Sequence, residues 1–185
     1  YYPSRYNALL NDEQRAFCRS IYQFKQGDIH GIEFFKTCMN ALQLKKRPYH
    51  IMFMPCSNWI KYGQRFKRLD WYIGKHRQDL TSGLYDVDIC DARESLHEAK
   101  GGEKRILERN YLITGNIKGK EIIIIDDVLT TGQSVADYKE EIERCGGKVV
   151  AAIFYGKTLS MPSMLLVQIH VWGNHIAHII ERMTK

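Results

Sequence analysis

Residues 121–135 read EIIIIDDVLTTGQSV. Four consecutive isoleucines, Ile122 to Ile125, are apolar on both faces of an extended chain, the pattern of an interior strand in a parallel sheet. Two carboxylates, Asp126 and Asp127, follow at once, where the strand is expected to end. In open α/β sheets that carboxyl end is where ligands bind. Thr130, Thr131, Gly132, Gln133 and Ser134 then form a turn of hydroxyls around a glycine. The turn leads into an expected helix whose apolar face is Val135, Tyr138, Ile142 and Cys145. A helix start offers free backbone N–H groups and the positive end of the helix dipole. With hydroxyl donors and a glycine that admits close approach, it makes a monophosphate cradle. The paired carboxylates suit the vicinal hydroxyls of a ribose, held directly or through Mg2+ and water. A plainer reading is available for each part: Asp-Asp can cap a turn, and Thr131 or Ser134 can cap a helix. The whole array in one strand–turn–helix favours a ribose carrying a phosphate at its far end.

The elements that must position this segment are legible around it. Asn11 to Phe24 reads as a helix, with Asn11 as cap and Gln14 completing a capping box. Asp28 to Leu44 reads as a second helix, with Ile32, Phe35, Met39 and Leu42 at helical spacing. Lys45-Lys46-Arg47 suits the negative end of its dipole, and Pro48 stops it. Residues 50–54 form a short apolar strand ended by Pro55. A long polar, helix-prone stretch from Trp59 to Gln78 contains Arg65, Lys67 and Arg68. Val87 to Cys90 reads as a second strand, and the charged residues 92–110, with their Gly-Gly pair, as an exposed loop. Strand Glu121–Ile125, helix Gln133–Cys145, a Gly146-Gly147 stop and strand Lys148–Tyr155 follow. A last strand is expected at Val167–Trp172 and a closing helix at Asn174–Met183. Alternating strands and helices predict an α/β domain with a parallel sheet. The expected division is an N-terminal helical segment, residues 1–47, serving as a hood, and a core at residues 48–185.

Bulk properties narrow the class. The chain has 185 residues, is 44% hydrophobic and 26% charged, and carries a formal charge of +6. Those values suit a soluble globular domain long enough to bury a core. There is no apolar run of membrane-spanning length and no secretory signal pattern, so no membrane association is expected. The five cysteines, Cys18, Cys38, Cys56, Cys90 and Cys145, are widely spaced with no CxxC pair. That argues against a disulfide framework or zinc site and for a reducing, cytoplasmic setting with the cysteines mostly buried. The histidines, among them His170, His175 and His178, show no metal-ligand spacing. The positive charge fits a solvated basic surface, a polyphosphate substrate or nucleic acid.

The run IIIIDDVLTTGQS resembles the signature by which type I phosphoribosyltransferases bind phosphoribosyl pyrophosphate (PRPP). The resemblance implies a type I phosphoribosyltransferase fold: a mainly parallel twisted sheet flanked by helices, with the N-terminal helices as an appendage. It implies that Asp126 and Asp127 contact the ribose hydroxyls, act in catalysis and hold Mg2+ indirectly. The 5-phosphate falls to Thr130, Thr131, Gly132, Gln133 and Ser134. The family's pyrophosphate loop corresponds to Pro55-Cys56-Ser57-Asn58. Its basic catalytic loop corresponds to residues 97–105, where Lys100, Lys104 and Arg105 could reach the departing pyrophosphate. Cys56 is expected to be structural, not a nucleophile. The implied reaction is Mg2+-dependent transfer of the phosphoribosyl group to a nitrogenous base with release of pyrophosphate. Its transition state would resemble an oxocarbenium ion. Thr130 stands where enzymes of 6-oxopurines usually carry a third aspartate, which argues against that group. Glu98-Ala99-Lys100 before Gly101-Gly102 resembles the orotate enzyme's loop in part. DDVLTTGQS, preceded by Arg109-Asn110, is similar to ComF-type competence-associated proteins, although their four-cysteine zinc module is absent from this chain. The alternatives are therefore a non-catalytic PRPP-sensing regulator or a ComF-like DNA-uptake accessory protein. A homodimer is the expectation for the fold, and nucleic acid is a possible but less favoured partner.

Overall fold

The computed structural model describes residues 10–42, 48–90 and 109–158. The expected strand Val167–Trp172 and helix Asn174–Met183 lie outside them, as does most of the charged loop. Helix α1 spans Asp12–Lys25, α2 His30–Ala41 and α3 Trp59–His76. Strands β1 (Tyr49–Phe53), β2 (Leu80–Ser82), β3 (Val87–Ile89), β4 (Tyr111–Ile113), β5 (Glu121–Leu129) and β6 (Lys148–Lys157) complete the chain, with helix α4 over Gln133–Arg144. The fold is α/β.

Helix α1 starts where expected: Asn11 accepts from the Gln14 backbone N–H, and the Gln14 side chain accepts from that of Asn11. Four parallel strands form the main sheet in the order β2-β1-β5-β6. All of β1 is buried, as a parallel strand covered on both faces requires. Alternation splits the two layers. Phe53 stacks on Phe66 of α3, and Phe24 of α1 stacks on Tyr155 of β6, so the first three helices share one face. On the other face, a Cβ on Gly147 would meet Ile122 and Ile142, which places α4 there. One contiguous apolar core joins these layers and includes Phe24, Ile32, Phe35 and Met39 of the N-terminal helices.

Three expectations are corrected. The sheet neighbour of β1 is Leu80–Ser82, three residues too few and too polar to show strand periodicity. Val87–Ile89 is a strand, but it pairs antiparallel with Tyr111–Ile113, just after the expected loop, in a sheet separate from the main one. And β5 does not end before the aspartates. It continues to Leu129 because β6 keeps pairing alongside, Asp126 opposite Phe154 and Leu129 opposite Lys157. Pairing with β1 stops at Phe53–Ile125, so Asp126 and Asp127 still leave the buried middle of the sheet there.

The amino ends of the strands are braced by polar contacts. Buried His50 bonds Thr81 Oγ1 and Asp86 Oδ2, each at 2.7 Å, and Lys120 lies 3.9 Å from the same Asp86 oxygen. Burial first, then Lys120, holds the His50 imidazole below its ordinary pKa.

The α1–α2 turn is locked onto α3. Gly27 has φ +75°, and a Cβ there would stand 2.1 Å from the Gln64 carbonyl oxygen. Gly27→Ala should therefore combine left-handed strain with a backbone clash and cost about 2 kcal/mol or more. Urea unfolding should show the midpoint falling with an unchanged slope.

Candidate functional site

From β1 the chain crosses through α3 to β2 on one side, and from β5 it crosses through α4 to β6 on the other. The strand order reverses between β1 and β5. The loops leaving their carboxyl ends diverge and open a crevice, the usual ligand position in such sheets. Residues 54–58 form one wall and residues 126–134 the other.

The acidic pair lies in this crevice. The Asp127 backbone N–H donates to Asp126 Oδ1 at 2.7 Å. Arg65, from the middle of α3, brings Nη1 to 2.7 Å from Asp127 Oδ2 and 3.7 Å from Asp126 Oδ1. Lys25, the last residue of α1, lies 3.5 Å from Asp127 Oδ2. That oxygen is buried, held between the two cations without a well-aligned hydrogen bond, and buried Arg65 Nε also has no partner. Burial, with the Asp127 charge second, pushes the Asp126 carboxyl up to about 7. Neither cation was assigned to the site from sequence. Arg65 was one basic residue in a polar helix, and Lys25 a helix-terminal lysine of the kind that usually serves the dipole.

The phosphate-cradle residues stand at the start of α4. Gly132 is its N-cap with φ +87°, and no side chain caps the helix. Thr131 Oγ1 accepts a long hydrogen bond, 3.4 Å, from the Gln133 backbone N–H, and the Gln133 side chain donates from Nε2 to Asp137 at 2.7 Å. Thr130, Thr131, Gln133 and Ser134 are exposed, so the first-turn N–H groups and hydroxyls are available to an anion. The capping alternative is met in part, since Thr131 Oγ1 accepts from the first helical N–H, though over a long 3.4 Å.

Across the crevice, Pro55, Cys56, Ser57 and Asn58 lead into α3. Asn58 caps it, accepting from the Lys61 N–H at 2.9 Å, and Lys61 Nζ reaches Ser57 Oγ at 3.2 Å. A second helix start and a lysine thus face this loop. Cys56 is buried, and burial pushes its thiol up to about 11, far from a reactive thiolate. Cys18 is also buried, Cys38 and Cys145 are half-buried, and Cys90 is exposed. Asn110 Nδ2 donates to the Cys56 carbonyl at 2.7 Å, and Arg109 pairs with Glu141 of α4. The hairpin that carries the charged loop is thereby pinned between both walls. Lys100, Lys104 and Arg105 lie outside the described residues.

Residues 78–159, from β2 to just past β6, match the phosphoribosyl transferase domain family. Over that stretch the chain is similar to phosphoribosyl transferase domains, in keeping with its α/β fold. Over 57 residues it is 42% identical to the orotate phosphoribosyltransferase of Sulfolobus acidocaldarius, covering 30% of this chain and 26% of that protein. It is 30% identical over 98 residues to the transcriptional regulator GfcR of Methanocella arvoryzae, covering 53% of this chain and 38% of the regulator. The transcriptional regulator GfcR 1 of Methanosarcina barkeri is 30% identical over 63 residues, 34% of this chain and 29% of that protein. The chain thus spans well under half the length of the curated relatives it matches.

Among the described residues no cluster of three or more His, Cys, Asp or Glu could cage a metal. Asp126 and Asp127 offer hard oxygen donors, and the buried Asp127 Oδ2 lies within 4 Å of Arg65 and Lys25 without a hydrogen-bond partner. That donor set fits a Mg2+ held mostly by water and substrate oxygens.

A carboxyl that holds its proton more tightly folded than unfolded loses stability for the fold as pH rises between the two pKa values. For Asp126 that window runs from 3.8 to about 7. Urea midpoints of the ligand-free protein should fall across it and level off above, and Asp126→Asn should flatten the slope.

Proposed function

We propose that the crevice binds PRPP and that the protein transfers its 5-phosphoribosyl group to a nitrogenous base, releasing pyrophosphate. One observation supports this most: an acidic pair and an uncapped, glycine-started helix lie a few residues apart at the sheet's switch point, facing a second loop-and-helix start. In this reading Gly132 to Ser134 and the two threonines hold the 5-phosphate. Asp126 and Asp127 accept from the ribose hydroxyls. Pro55 to Asn58, with Lys61, receive the pyrophosphate, and Lys100 and Lys104 approach it from the charged loop.

Mg2+, bound with PRPP against the aspartates, would neutralise charge on the pyrophosphate and ribose oxygens. The protein's own part is positional and electrostatic. Arg65 and Lys25 keep the carboxylates oriented, and both oppose the upward shift of Asp126, whose ionised form is the one that accepts from the ribose. Asn110 fixes the Cys56 carbonyl and so the shape of the pyrophosphate loop. Residues 1–47 serve as a hood, because Lys25 brings the end of α1 to the ribose position.

A second reading is a PRPP-sensing regulator that keeps the crevice without turnover. It is favoured by the two relatives named as transcriptional regulators, both of which align over more of this chain than the enzyme does.

Calorimetry with PRPP, with and without Mg2+, tests the shared premise. Mg2+-dependent binding is expected. Asp126→Asn/Asp127→Asn should weaken it at least tenfold, about what losing one charge-assisted hydrogen bond costs. Absence of binding by folded wild-type protein would remove both readings. Pyrophosphate release on adding orotate or another base separates the enzyme from the sensor.

A further inference from the structure

Helix α3 has a second face, turned to solvent. Tyr62, Phe66, Leu69 and Ile73 are its buried stripe, and Arg65 turns to the acidic pair. The solvent side carries Gln64, Lys67, Arg68, Trp71 and Lys75. A cleft of about 600 Å³ lies between this face and the α1–α2 turn, lined by Gln26, Ile29, Gln64, Lys67, Arg68 and Trp71 among others. A second, of about 350 Å³, adjoins it across Gln26, Gly27 and Arg68 and adds Tyr22, Gln23 and one carboxylate, Asp28.

Three features define what this face accepts. Trp71, 55% exposed, lines the larger cleft, and Tyr22, 48% exposed, lines the smaller. Lys67, Arg68 and Lys75 surround Trp71 against one carboxylate on the helix, Asp70, and the Lys75 ammonium lies 4.9 Å from the indole centroid. Gln64 Nε2 donates to Gln26 Oε1 at 2.6 Å, which leaves an N–H of Gln26 and the Gln64 carbonyl for a ligand. At the floor, Gly27 packs directly against the Gln64 backbone.

We propose that this face binds single-stranded nucleic acid. A base stacks on Trp71, its edge meets the amide pair, and the flanking phosphates lie against Lys67, Arg68 and Lys75. Exposed rings interleaved with cations are what an unpaired strand requires. A duplex hides its base faces, and an acidic peptide would use the cations but not the rings.

Fluorescence anisotropy of the full chain with a labelled oligothymidylate of about 12 nucleotides tests this. The single strand should bind more tightly than a duplex of equal length and quench Trp71. Trp71→Ala should weaken binding about tenfold. Lys67→Glu/Arg68→Glu should weaken it and reduce the slope of log affinity against log salt by about 1.4. Asp126→Asn/Asp127→Asn should bind the oligonucleotide like wild type, so failure of the PRPP site and failure of this face read out separately. The proposal is overturned if no binding occurs at low salt, if the duplex binds better, if polyglutamate binds in place of the oligonucleotide, or if the folded Trp71 and Lys67/Arg68 variants bind like wild type.

Discussion

Two adjacent carboxylates cannot leave water together without cations or a shared proton. Asp126 and Asp127 are drawn into the fold because β6 continues to pair with β5 beyond the end of β1. The charge this buries must be met from outside the sheet, and Arg65 of α3 and Lys25 of α1 meet it. A buried pair of this kind is weak evidence of stability, because desolvation offsets much of the attraction. Its value is positional. It ties three separate elements to one point, and that point is where the sheet opens.

The rest of the crevice follows a similar logic of groups left incomplete. Helix α4 begins at a glycine in the left-handed region, which turns the chain sharply but gives the first N–H groups no side-chain cap. A stable isolated helix would place serine or aspartate there. An uncapped start is less costly when an anion completes it. The opposite wall differs: Asn58 caps α3, and a lysine one turn on serves the loop instead. The hairpin stem couples the walls through Asn110 and Arg109.

The N-terminal helices belong to the same apolar core as the sheet, through Phe24, Ile32, Phe35 and Met39. Gly27 lets the turn between them touch the α3 backbone. That contact sets Lys25 two residues earlier against Asp127 and shapes the cleft beside Trp71. One helix, α3, therefore serves the core on one stripe, the acidic pair on a second and solvent on a third.

Sequence alone determined the local pieces. Four isoleucines could only be an interior strand, Asn11 and Gln14 fixed the start of α1, and the run from Asp126 to Ser134 announced its own chemistry because all its parts are contiguous. Tertiary structure decided everything that depends on distant partners. The three-residue strand Leu80–Ser82 has too little periodicity to be seen until β1 pairs with it. The length of β5 was set by its neighbour β6, not by its own composition. Lys25 and Arg65 look like ordinary surface cations, since nothing local distinguishes a lysine or arginine facing water from one facing a carboxylate 62 or 102 residues later in the chain. Side-chain periodicity reports which face of an element is buried, and only packing reports what that face meets.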